Sequence, residues 1–184
     1  MAGLHHFWFA TLGPGDWYAS SEAIDSELRH RFLREWHGLR HRSAPEFLES
    51  PRGALAAVLL FDQVPRNIFR GDARSYASDP LARAIAREVL RRGWHRALGP
   101  EERQFLYMPF MHSEHILDQR LSLALFARLG RSLSFARSHH AMIARLLDEK
   151  TKGLSFTIDL SFFIASVNQD TDTLHALSSY ASVS

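Results

Sequence analysis

Nine consecutive positions, Gly53 to Phe61, carry no polar side chain. A dense polar group follows at once: Asp62, Gln63, Arg66, Asn67 and Arg70, with Pro65 in its midst. A helix that is apolar all round has no face to give to water, so it has to lie inside a core. Everything else in the chain must therefore supply walls for this stretch. Ser50-Pro51 gives a start signal, a capping serine before a proline whose missing N–H costs nothing in the first turn. Val64 precedes a proline, which disfavours the α region, so the spacing predicts that the helix stops there.

The walls read as helices. Residues 2–12 form a short one with Leu4, Phe7 and Trp8 on one face, ended by Gly13-Pro14-Gly15. Ser20 or Ser21 caps the next, whose stripe is Ile24, Leu28, Phe32, Trp36 and Leu39. Arg29, Arg31 and Arg34 fall mostly off that stripe and read as solvated. Ser43 to Leu48 reads as a single turn, and Asp79-Pro80 repeats the cap-plus-proline signal before Leu81, Ala82, Ile85, Ala86, Val89 and Leu90. Gly93 suits a C-cap. Gly99-Pro100-Glu101-Glu102 opens a helix that Pro109 is expected to break or kink, followed by a long helix from about Phe110 to Leu129, closed by Gly130. Ser134 then caps a helix striped by Phe135, His139, Met142, Ile143 and Leu146. Six or seven helices with short connections make an all-α antiparallel array, a bundle or an α-superhelix. No strand template occurs before residue 150; residues 154–167 alternate like one, and 168–184 read as a polar tail.

Composition narrows the function classes. A chain of 184 residues suits one main domain, and a net charge of +2 gives no general attraction to nucleic acid. No cysteine is present, which excludes disulfides and thiolate metal sites and fits a cytoplasmic location. No secretory leader and no transmembrane run is expected, hence no membrane partner. Basic residues change character along the chain: every arginine lies at or before Arg145, and the two lysines are Lys150 and Lys152. We read residues 1–150 as a helical domain and 151–184 as an atypical C-terminal extension, partly apolar, then polar and suited to disorder.

Three groups can carry chemistry. In the corner Asp62, Gln63, Arg66, Asn67 and Arg70, the arginines and asparagine suit two tasks: donating to orphan helix-end carbonyls, with Asp62 holding an arginine, or binding a small anionic ligand. His112-Ser113-Glu114-His115 with Asp118 has helical spacings that fit local pairs, a general acid/base in His112 or Glu114, or a divalent ion. It lacks the His-Glu-x-x-His arrangement of zinc helices, so no metal is assigned. His139 lies on an apolar stripe, next to His140, where a core histidine bonded to the backbone fits. Phe7, Trp8, Phe9 and Trp17 read as core and lid. No phosphate loop or nucleophile elbow occurs, and no cofactor is implied.

The stretch from Gly53 to Gly71, together with Asp79-Pro80-Leu81-Ala82, Phe105 to Phe110 and His112-Ser113-Glu114, resembles the signature of the bacterial domain of unknown function 924 family. Phe7-Trp8-Phe9 and Phe135-Ala136 with His139 fit as well, so the likeness covers about residues 5–145. It implies an all-α fold similar to tetratricopeptide-like superhelices, and no activity. The chain departs from the family at His115, where another residue, often Asp, is usual, and after Arg145, where Leu146-Leu147-Asp148-Glu149-Lys150 replaces an Arg/Phe/Pro/His/Arg/Asn-type stretch. The expectation is a non-catalytic helical scaffold for a protein or peptide partner. The alternative is a small-molecule enzyme or anion-binding protein that uses the Arg/Asn corner with the His/Glu pair.

Overall fold

The computed structural model describes residues 2–151. The segments 154–167 and 168–184 lie outside the described residues. The first helix, α1 (Ala2–His6), widens into a π-turn at Phe7–Thr11. It is followed by α2 (Glu22–Leu39), a single turn at Ala44–Phe47, α3 (Pro51–Val58), a π-segment Leu59–Gln63 and α4 (Val64–Ile68). A turn at Ala73–Tyr76 leads to α5 (Asp79–Arg91), and Trp94–Ala97 to α6 (Pro100–Met111), α7 (Ile116–Leu129) and α8 (Leu133–Thr151). No strand occurs among the described residues. None of their helices is long and apolar enough to cross a membrane.

The apolar stretch is the axis of the array. Ala54 to Phe61 are all at most 1% exposed. Packing against α3, α4 and the π-segment come α1, α2, α5 and α6, while α7 packs on α6 and α8 on α7. Ser50 caps α3 as expected, its Oγ accepting from the Gly53 N–H at 3.1 Å. A Cβ on Gly53 would stand 2.9 Å from that oxygen, so a glycine is what lets the cap close. The stripe of α2 delivers Leu28, Phe32 and Trp36 to the core, and Ser21 caps it.

The expected stop at Val64 does not occur. Val64 is in the α region, at φ −55° and ψ −48°, and the chain stays helical to Ile68. The π-segment explains this: the Val64 N–H reaches back to the Leu59 carbonyl, which widens the turn ahead of Pro65. Proline still frees the carbonyls it cannot serve, and other groups take them. The Phe61 carbonyl accepts from Ser78 Oγ at 2.7 Å, and that hydroxyl accepts from Trp36 Nε1 at 2.9 Å.

The break expected at Pro109 does not fall there either. Helix α6 runs through Pro109 to Met111, and the break comes later, at His112–His115. Gln119 fixes it there, its Nε2 donating to the Met111 and Ser113 carbonyls at 2.6 Å each. His112, Glu114 and His115 thus lie in a loop and not along one helix face. Two start positions also move. Asp79 lies inside α5 with its carboxylate turned to Arg66, and Ser134 lies in the first turn of α8, which begins at Leu133. Gly93 and Gly130 close their helices at φ 70° and 73°, where glycine carries no Cβ penalty.

Candidate functional site

The corner is built by the widened turn. Because the π-segment loosens backbone pairing, the side chains one turn ahead fold back onto its carbonyls. Arg66 Nη1 donates to the Asp62 carbonyl at 2.5 Å, and Asn67 Nδ2 to the Gln63 carbonyl at 3.0 Å. Arg66 also grips Asp79 with two bonds, 2.9 and 2.8 Å, and stands 3.2 Å from Asp62 Oδ1. Gln63 Nε2 donates to Asp62 Oδ2 at 2.5 Å. Arg70 turns to the opposite side. It holds Asp25 of α2 by two bonds, 2.6 and 3.0 Å, and donates to Asn67 Oδ1. The five corner residues therefore form two clamps: Arg66 ties α4 to α5, and Arg70, just past the end of α4, ties the chain there to α2.

His112 joins the first clamp. Its Nδ1 lies 2.9 Å from Asp62 Oδ1, although the two are 50 positions apart. His139 comes from α8 to face it, with ring centroids 6.0 Å apart. Asp62, Arg66, His112 and His139 are all buried. Glu114 is exposed and does not share this cluster. Asp118 is buried elsewhere, held by Ser113 Oγ at 2.8 Å and by Arg83 and Arg87. Among the described residues no group of three or more His, Asp or Glu is placed to hold a metal ion.

Electrostatics separate the members. Burial acts to raise the Asp62 carboxyl, but Arg66, His112 and the hydrogen bonds from His112 and Gln63 outweigh it and hold it down at about 2. Burial pushes the Asp79 carboxyl up, with Asp62 adding to the effect against the pull of Arg66. One guanidinium between two buried carboxylates leaves the outer one undercompensated. Burial holds the His139 imidazole down at about 3, and His112 and Arg66 push the same way. A neutral His139 is thus built into the fold.

Sequence reasoning missed three members of this arrangement. Asp25 stands in register with Leu28, Phe32 and Trp36, and a carboxylate on an apolar stripe was the available signal. Asp79 looked like a cap. Ser78 gave no signal, because its role as relay between Trp36 and Phe61 depends on three distant elements.

A second feature lies away from the cluster. A hollow of about 470 Å3 is lined by Phe9, Gly99 and the first residues of α6 (Pro100 to Glu102), and Arg131 of the α7–α8 turn. Phe9 packs edge-on against Trp17 and Phe105 at 5.9 and 5.7 Å. Tyr18 stacks over Phe105 and is 38% exposed. Phe7, Trp8 and Trp17 are buried as core.

Comparison with known proteins fits this all-helical arrangement. A solved structure of a protein of unknown function from Agrobacterium tumefaciens is similar, with 34% identity and a TM-score of 0.76 over 89% of this chain and 94% of that one. Among curated proteins none matches the chain. The family model described as bacterial protein of unknown function (DUF924) matches residues 4–146, from α1 through most of α8, and the chain belongs to that family.

Proposed function

We propose that this protein is a non-catalytic helical scaffold that binds a protein or peptide segment in the cytoplasm. One observation supports the reading most: the corner's polar groups are spent inside the molecule. Arg66 faces Asp62 and Asp79, Arg70 faces Asp25, and Asn67 serves both a carbonyl and Arg70. A small anion must compete with buried carboxylates for each arginine, so the corner favours cohesion over capture. The hollow by Phe9 offers what a docking site uses instead, an aromatic floor with a polar rim of Glu101, Glu102 and Arg131. Photo-crosslinking from position 131 in a bacterial lysate tests this. One defined protein adduct, lost in Phe9→Glu, is expected. Adducts that are indifferent to Phe9→Glu would sink the reading.

One observation favours a second reading, a small-molecule enzyme or anion-binding protein. Asp62 accepts from His112 Nδ1, which leaves Nε2 as the lone-pair nitrogen of a proton-transfer group. Glu114, exposed in the loop, takes no part as its partner. A turnover or ligand-binding signal that His112→Asn abolishes, with the fold intact, would replace the scaffold reading with this one.

A further inference from the structure

The α7–α8 hairpin has two unlike ends. A short turn, Gly130 to Ser132, closes one of them, and from it the two helices pack antiparallel along each other. The other end is open. There α7 starts beside the Ser113–His115 loop, and α8 runs out to Thr151. Leu117 is 72% exposed and Leu147 40%, and among the described residues they are the exposed large aliphatic side chains. At 1.5 Å per residue, Leu117 stands about 18 Å back along α7 from the turn and Leu147 about 21 Å out along α8, so both belong to the open end. Exposed leucines scattered singly need no cover, but these two are level with each other. Ile116, Met142 and Leu146 add half-buried apolar surface at the same end, and Glu114, His115 and the Arg145–Glu149 pair add polar groups. An apolar centre with a polar rim is the make-up of a docking surface.

The occupant follows from where the chain goes next. Past Thr151 it continues to Ser184; Phe156, Ile158, Leu160, Phe162 and Ile164 fall at alternate positions, and Asp159 is the one charge between Leu154 and Val167. Phe156 can extend at most about 17 Å from Thr151. That is ample for Leu147, about 6 Å back along α8, and short of the Phe9 hollow, which lies beside Arg131 about 30 Å back. A segment tethered this close is present at an effective concentration of about millimolar, above what a separate chain offers. We propose that the open end of the α7–α8 hairpin, around Leu117 and Leu147, is the docking surface for residues 154–167 of this same chain. The inference is independent of the scaffold reading, whose hollow lies at the closed end.

The test is photo-crosslinking of the purified full chain carrying Leu117→benzoylphenylalanine, a substitution at a position open to solvent. The adduct should be intramolecular, map to residues 154–167 and keep its yield over an about tenfold dilution. Leu160→Asp together with Phe162→Asp should lower that yield by about fivefold or more. A yield that the double substitution leaves unchanged overturns the proposal, as does an adduct elsewhere on the chain or no adduct at all. An adduct between two chains that fades on dilution overturns it in favour of a second copy. The same chain irradiated in lysate should keep the intramolecular adduct, and its replacement by an adduct to another protein overturns the proposal in favour of a partner.

Discussion

The segment Pro51–Ile68 and the helix α8 are both helical, of similar length, and held in opposite ways. The first is buried on every side, from Ala54 to Phe61 without a break. The second buries only Ala136, His139 and Ile143 fully, with Leu133 and Phe135 packed partly against the core. Redundancy is the difference. No single contact decides whether the central rod stays in place, and each fully buried large side chain there contributes about 1.5–3 kcal/mol. In α8 fewer side chains are fully buried, and one of them is ionisable. Full burial is thus dense at the axis and sparse in α8.

The largest expected effect tests the axis. Phe61→Ala should cost about 3–5 kcal/mol in urea denaturation, because the site is closed on all sides and cannot collapse. Ile143→Ala, of the same chemical kind, should cost about 2 kcal/mol at most and should show as local exchange in α8. Equal global losses from the two would erase the contrast. Arg66→Met comes next. It leaves Asp62 and Asp79 buried without their cation, at a cost of about 3–5 kcal/mol. Adding Asp79→Leu should recover part of that loss, and a simple sum of the two losses would refute the clamp.

Acid sharpens the comparison by ordering two windows. The folded value of His139 is depressed from 6.5 to about 3, so its contribution is complete above about 6.5 and is lost as pH falls toward 3. The slope is at most about 1.4 kcal/mol per pH unit. The Asp62 carboxyl is depressed from 3.8 to about 2, so its contribution is lost only below about 3.8. Urea denaturation followed against pH should show stability falling below about pH 6.5 and more steeply below about 3.8. A stability that stays level down to about pH 3.8 would show that His139 contributes nothing to this dependence. The smallest effect is expected at the relay. Ser78→Ala strips the hydroxyl donor from the Phe61 carbonyl and the acceptor from Trp36, for about 1–2 kcal/mol.

Much of the fold was legible along the chain. The apolar run from Gly53 to Phe61, the caps at Ser21 and Ser50 and the glycines at 93 and 130 act through neighbours a few residues away, so local chemistry is enough to read them. At Pro65 the expected stop fails for a reason outside the local sequence. A proline forbids a backbone hydrogen bond, but whether a helix survives depends on who serves the freed carbonyl. For Phe61 that is Ser78 on another element, bonded in turn to Trp36.

The candidate site divides along the same line. The sequence by itself determined that Arg66 and Asn67 stand within a turn of helix-end carbonyls, and left open whether they serve those carbonyls or a small anion; they meet the carbonyls of Asp62 and Gln63. It could not determine that Asp79 and Asp25 would claim the two arginines, nor that Glu114 would face solvent while His112 turned inward. Those outcomes rest on pairings 13 and 45 positions apart. Only the tertiary structure decided them, because a buried charge takes whichever partner the packing of helices brings within reach.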